Sequence, residues 1–114
     1  MKKLTLAGLF LILGTLALYS QNLPSVRIVN NTGYDIFYIY MSPSNSDDWG
    51  NDILGDGILK NGDTFTWVLP YPLSMHNVYD IGMEDEDEDT YIKWEVTITN
   101  NARIVFTQDD FDDG

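Results

Sequence analysis

Hydrophobic and polar residues alternate with a period of two along most of the chain beyond residue 25. Such alternation is typical of β-strands that bury one face and expose the other to water. Between residues 64 and 69, for example, Phe65, Trp67 and Leu69 share one face. This pattern, or a dense run of β-branched and aromatic residues, predicts strands at 26–30, 34–41, 64–69, 78–83, 91–99 and 103–107, and a Gly-interrupted seventh at 53–59.

Turn-forming residues separate the predicted strands. Residues 30–33 and 60–63 are Asn- and Gly-containing sequences typical of hairpin turns, and residues 42–52 form a longer polar loop. Seven short strands at this spacing predict an all-β fold, a single antiparallel β-sandwich. If consecutive strands alternate in direction, the loops at 30–33, 60–63 and 84–89 lie at one end of the sandwich. The tail after Thr107 emerges at that same end.

The aromatic residues of the strands divide into two groups. Trp67 and Trp94 fall on the apolar faces of their strands, which predicts that both belong to the core. The tyrosines at positions 34, 38 and 40 share a strand face with Ile36. That face either packs inside the protein or forms a surface for a partner.

The first 20 residues have the layout of an export signal. Lys2 and Lys3 precede an uncharged, largely apolar stretch over residues 4–19, and polar residues follow Ser20. The stretch is short for a membrane-spanning helix, which needs about 20 apolar residues. We expect residues 1–20 to be a signal peptide cleaved after Ser20, leaving residues 21–114 as one exported domain without a membrane span. The alternative is an uncleaved N-terminal anchor.

The charge balance limits the classes of partner that the protein can bind. The chain has 18 acidic and 6 basic residues, and its formal net charge is −12. Such a surface repels nucleic acid and anionic lipid, and attracts cations or basic partners. The chain contains no cysteine, so no disulfide supports this small exported domain. With a single histidine and no cysteine, the sequence offers little for nucleophilic catalysis, and we expect a protein that is not an enzyme.

Several short motifs stand out across the domain, namely Asn31-Thr32-Gly33-Tyr34, Tyr40-Met41-Ser42-Pro43-Ser44, Trp49-Gly50-Asn51-Asp52-Ile53-Leu54-Gly55, Tyr79-Asp80-Ile81, the acidic run 84–89 with Thr90-Tyr91, and Phe106-Thr107. Together they resemble a family of small exported bacterial β-proteins of unknown function. The resemblance implies a Gly within the acidic turn, where this chain has Glu88. Some members carry the automatic name argininosuccinate lyase, but this domain is too small and too poor in basic residues to hold that anionic substrate.

Alternate acids in the run 84–89 suggest a calcium site. Ca²⁺ prefers six to eight oxygen ligands, and Asp85, Asp87 and Asp89 place three carboxylates on one turn. The spacing does not fit an EF-hand, because the required Gly and Glu are absent. We expect a site at the end of the sandwich to which Asp109 and Asp110 of the tail also contribute. The alternative is a solvated acidic turn without a metal.

Trp49, in the polar loop 42–52, is the candidate ligand residue. It is flanked by acidic and amide residues, and an exposed Trp in this setting stacks on a sugar or anchors a protein partner. Alternatively, its ring folds back and closes the end of the sandwich. These features predict an exported, non-catalytic binding module at the cell envelope, and the acidic turn predicts that its binding depends on calcium. The alternative is a structural or stress-related envelope protein without a specific ligand.

The calcium hypothesis makes a testable prediction. Millimolar Ca²⁺ should raise the melting temperature more than Mg²⁺ at matched ionic strength, since a specific ligand at a hundredfold excess over its Kd stabilises by about 2.7 kcal/mol. For a domain of this size the shift is about 10–20 °C. The double substitution Asp87→Asn, Asp89→Asn should remove most of the difference between the two ions. Equal shifts with both ions would instead indicate a solvated turn.

Overall fold

The computed structural model describes residues 23–113, so the predicted signal peptide over residues 1–20 lies outside the described part of the chain. These residues form seven strands and one short 3-10 helix, Gln108–Asp110. The strands are β1 (Ser25–Asn30), β2 (Ile36–Pro43), β3 (Thr64–Val68), β4 (Val78–Asp85), β5 (Thr90–Thr97), β6 (Ala102–Phe106) and β7 (Phe111–Asp112). The all-β prediction is confirmed.

The strands form two sheets that enclose the core. One sheet has the order β3-β1-β6 and the other the order β2-β4-β5-β7. All pairs are antiparallel except β1 and β6, which run parallel because β6 joins the first sheet after a crossover from the second. The buried cluster between the sheets draws on both of them, including Val26, Ile28, Ile104 and Phe106 from the first and Ile39, Met41, Tyr79, Ile81, Met83 and Tyr91 from the second.

The predicted strand at 53–59 is wrong. In the structure only Leu59 forms a bridge, to Ile36, and Gly55 adopts a positive φ of 75° that breaks an extended run. The segment instead runs along the free edge of β2, where the Ile53 amide donates to the Ile39 carbonyl at 2.7 Å. Covering an exposed strand edge in this way prevents pairing with other chains. The seventh strand is β7, in the tail.

The loops at 30–33 and 60–63 meet at one end of the sandwich, as predicted. The Asn30 amide donates to the Asp63 carbonyl at 2.9 Å, and the Gly62 amide donates to the Asn30 carbonyl at 2.6 Å. The tail reaches this end too, since the Gln108 side chain donates to the Thr32 carbonyl. Neither loop is a hairpin, however. Each connects strands of different sheets, and only β4 and β5 are consecutive neighbours within one sheet.

The acidic run forms a tight hairpin between β4 and β5. Glu84 and Asp85 are the last residues of β4, and the Asp85 amide donates to the Asp89 carbonyl at 3.0 Å. Glu88 has a φ of +69°, in the left-handed region that favours glycine. The position at which the family resemblance implies a Gly is therefore one where the backbone is strained for any other residue except Asn or Asp.

We predict that Glu88→Gly stabilises the protein. The substitution relieves a left-handed conformation that costs about 1–2 kcal/mol, and it removes one charge from the acidic turn. The melting temperature should rise by about 4–8 °C for each 1 kcal/mol gained.

Glu86→Gly is the matched control, because Glu86 lies in the same turn without a positive φ and its loss changes the net charge equally. It should leave the melting temperature unchanged or lower it. Equal increases in the two variants would show that charge, not backbone strain, limits the turn.

Candidate functional site

The outer face of the four-stranded sheet displays aromatic side chains. Trp94, predicted to lie in the core, is 59% exposed. That prediction is wrong because a β-bulge interrupts β5. Tyr79 pairs with Val96 but Ile81 pairs with Lys93, so β5 has one residue more than β4 in this interval. The bulge returns Val96 to the inner face and leaves Ile92 and Trp94 on the outer face.

The buried carboxylate of Asp80 holds the bulge. Glu95 has a φ of +53°, and its amide donates to Asp80 Oδ1 at 2.9 Å. The same oxygen accepts a hydrogen bond from the Ser44 hydroxyl at 2.7 Å. Ser44 begins the loop that leads to Trp49. One side chain, 3% exposed, therefore joins the bulge of β5 to the start of this loop.

The loop returns to the same sheet and places Trp49 on its outer face. Asp52 fixes the far end of the loop, since its Oδ1 accepts from the amides of Ile39 and Leu54, each at 2.9 Å. The Trp49 ring lies over Gly82, 3.6 Å from the position that a Cβ there would occupy. Its centroid is 5.5 Å from that of Trp94, with the planes inclined at 47°. Trp49 is thus half-buried on the sheet face. The sequence offered a fully exposed ring or a ring that closes the end of the sandwich, and the observed position is neither.

A groove of about 190 Å³ runs beside this Trp pair. Gly82 forms its floor, because the missing side chain leaves a depression between Tyr40 on β2 and Ile92 on β5, the residues that pair with it. Trp49 borders one side of the groove. Glu84 and Thr90 also line it, and they form the cross-strand pair two residues along from Gly82 and Ile92. The polar groups that reach the groove are therefore few beside its aromatic and aliphatic surface.

The tyrosines of β2 extend the aromatic face. The rings of Tyr38 and Tyr40 are stacked, with centroids 6.5 Å apart and planes inclined at 14°. The predicted shared face with Ile36 is wrong, because a register shift between Ile36 and Tyr38 sends Ile36 into the core. Tyr38 remains 42% exposed. The sequence left open whether these tyrosines pack inside the protein or form a surface, and Tyr38 lies on the surface.

Two titratable side chains that line the groove, Glu84 and Tyr40, have raised pKa values. Partial burial raises the pKa of Glu84, and the carboxylates of Glu88 and Asp85 raise it further. Burial likewise raises the pKa of Tyr40, with Glu84 and Asp52 adding to the effect. In both cases burial is the larger cause, and the nearby carboxylates add to it.

The acids predicted to bind calcium occupy two different arrangements. Asp85, only 2% exposed, accepts hydrogen bonds from the Asp87 and Asp89 amides and from the Tyr91 hydroxyl. The Asp85 carboxylate thus holds the turn in place by hydrogen bonds, whereas Asp87 and Asp89 are exposed. The tail lies alongside, since β7 pairs with Thr90 and Tyr91 directly after the turn.

Within the tail, Asp110 accepts from Lys93 Nζ at 3.0 Å and from the Thr107 amide at 2.9 Å, and Asp109 is exposed. Among residues 23–113 no group of three or more His, Cys, Asp or Glu side chains is placed to hold a metal ion. Calcium binding by these acids stays a prediction.

Sequence reasoning singled out Trp49 but missed Gly82 and Glu84 as groove residues, and it assigned to the core Trp94, which contacts Trp49 beside the groove. Gly82 offered a signal, because a glycine inside a strand pattern often marks a close approach by another group. Trp94 offered none, since the bulge that turns it outward depends on Asp80, a residue distant in sequence.

Comparisons of the chain with protein-family models, with curated proteins and with solved structures find no significant match. None of the helices in residues 23–113 has the length and apolar composition needed to cross a bilayer. The function of the groove is therefore inferred from its own geometry and chemistry.

We predict that Asp80→Ala loosens the whole outer face. It leaves the Glu95 amide and the Ser44 hydroxyl without their acceptor, at a cost of about 2–5 kcal/mol. The melting temperature should fall by about 10 °C or more, and the indole NMR signals of Trp49 and Trp94 should move towards random-coil positions.

Asp80→Asn is the control, since its amide oxygen can accept both hydrogen bonds, and it should behave much more like the parent. Unchanged Trp signals in Asp80→Ala would contradict this role for the carboxylate.

Proposed function

We propose that this protein is an exported, non-catalytic binding protein of the cell envelope, and that its ligand surface is the aromatic groove around Trp49. The observation that supports the proposal most is the exposure of Trp94 beside Trp49 on a well-ordered sheet face. Large aromatic side chains are costly to leave in water and are enriched at binding sites, where they bury much area with little loss of conformational freedom.

The rigidity of the groove also supports binding. Its floor and two walls are neighbouring strands, and the Trp49 loop is fixed at both ends by partly buried hydrogen bonds to Asp80 and Asp52. A preformed surface of this kind loses little conformational entropy when a ligand arrives. A structural envelope protein without a ligand would gain nothing from an ordered aromatic face exposed to water.

A non-catalytic role agrees with the surroundings of the single histidine. The His76 ring packs edge-on against Tyr71, with centroids 4.9 Å apart, in the segment before β4. The nearest acid in sequence, Asp80, uses its Oδ1 to hold Ser44 and the β5 bulge. These contacts are structural in character, and they leave the groove without an evident general acid–base pair.

The proposal is tested by mapping ligands on the protein. In an NMR titration with neutral oligosaccharides and with capped acidic, neutral and basic peptides, a binding probe should shift the amides of Gly82 and Ile92 and the Trp49 indole. Trp94→Ala should weaken that probe about tenfold, since Trp94 is exposed and its loss spares the core.

Tyr71→Ala serves as the control, because Tyr71 is also an exposed aromatic residue but lies outside the groove. It should leave the affinity unchanged. The proposal fails if every probe that binds shifts residues elsewhere, or if no probe in the panel moves the groove signals.

A further inference from the structure

The groove combines negative charge with aromatic faces. Glu84 is the one charged residue among those that line it, and the aromatic lining residues are Tyr40 and Trp49. Aromatic rings attract cations through the negative potential of their faces, and a carboxylate nearby adds a direct ionic partner. Neutral sugars, by contrast, need several hydrogen-bonding groups, of which this groove offers few.

The fold keeps the four basic residues of positions 23–113 out of the groove lining. Arg27 and Arg103 pair with each other across β1 and β6 in the opposite sheet. Lys93 points to the inner side of its own sheet, where its Nζ contacts Asp110 and lies 5.3 Å from the Phe106 centroid. Lys60, the fourth basic residue between positions 23 and 113, belongs to the turn before β3. None of the four lines the groove.

The size of the groove indicates how much of a ligand enters it. Its volume of about 190 Å³ is below the usual 300–1,000 Å³ of small-molecule pockets. That is room for one long side chain, while the exposed rings of Trp94 and Tyr38 remain available to the flanking residues. These dimensions suit a side chain presented by a polypeptide.

We infer that the groove receives an arginine or lysine side chain from a basic segment of a partner protein, with Glu84 as the ion-pairing residue and Trp49 and Tyr40 as the aromatic partners. This inference rests on the proposed binding function. The formal net charge of −12 attracts basic segments towards the protein. The groove then selects one basic side chain, because it can enclose that side chain and the rest of the acidic surface cannot.

Three capped heptapeptides, alike except for a central arginine, lysine or citrulline, provide the test. They are titrated at physiological salt, which screens distant charges beyond about 8 Å. Calorimetry should show the arginine and lysine peptides binding about tenfold or more tightly than the citrulline peptide, equivalent to about 1.4 kcal/mol. The indole NMR signals of Trp49 and Trp94 should shift, while that of Trp67, which packs against the core, should not.

Two charge-matched variants separate the groove from the general acidity of the surface. Glu84→Gln should weaken the arginine peptide about fivefold to tenfold. Glu86→Gln, which removes an equal charge from an exposed turn position outside the groove, should change the affinity less than about twofold. Trp94→Ala provides a further variant that spares the core, and the melting temperature of each variant confirms its folding.

Three outcomes would overturn the inference. If the citrulline peptide binds as tightly as the arginine peptide through the groove, the cationic ligand is wrong but the binding function stands. If Glu84→Gln and Glu86→Gln weaken binding equally, or the indole signals stay fixed, the attraction is diffuse and the groove does not select the side chain. If no peptide or neutral oligosaccharide moves the groove signals, the binding function fails as well.

Discussion

The carboxylate of Asp80 is the interaction on which the outer face depends. It holds the backbone amide of Glu95 in the β5 bulge and the hydroxyl of Ser44 at the start of the Trp49 loop. Without the bulge, the alternation of β5 would continue and Trp94 would exchange faces with its neighbours. Without the anchored loop, Trp49 would lose its position over Gly82. A single buried carboxyl side chain, held by these hydrogen bonds, thus brings two tryptophans together on one surface.

The chain has 18 acidic residues and no cysteine, so their mutual repulsion is not offset by disulfides. Hydrogen bonds and an ion pair close to individual carboxylates reduce this repulsion instead. Asp85 is buried, but it accepts hydrogen bonds from two amides of its own turn and from the Tyr91 hydroxyl, which stabilise its charge. Asp110 is compensated by Lys93 and by the Thr107 amide in a capping box. Asp80 and Asp52 likewise accept hydrogen bonds, and most of the other acidic residues are exposed to water. Glu84 is half-buried at the edge of the groove.

The position of Glu84 couples the acidity of the chain to its aromatic surface. Its pKa is raised by burial and by Glu88 and Asp85, so the folded protein bears a cost whenever this carboxylate is ionised. A group whose pKa is raised on folding lowers stability as pH rises through its titration range. Selection for stability alone would favour a neutral residue here, and a bound cation turns the same carboxylate into a favourable contact.

The sequence by itself determined the fold class, because period-two alternation leaves a chain few ways to bury its apolar residues other than in facing sheets. It also located six of the seven strands. It placed three loops and the tail at one end, because a chain that alternates in direction returns to the same end after every second crossing, and the segment 53–59 makes one of these crossings although it is not a strand. Trp49 stood out as a candidate ligand residue because of its polar loop.

The sequence correctly predicted that Trp67 packs against the core, but only the tertiary structure decided that Tyr38 and Trp94 lie on the outer face. Two register shifts, at Phe37 in β2 and at Trp94–Glu95 in β5, reverse the alternation that the sequence shows. The first directs Ile36 inward and Tyr38 outward, and the second exposes Trp94. A bulge depends on hydrogen bonds between residues far apart in the chain, such as Asp80 with Glu95 and Ser44, and no local pattern encodes them. The groove exists because those long-range bonds outweigh the local periodicity.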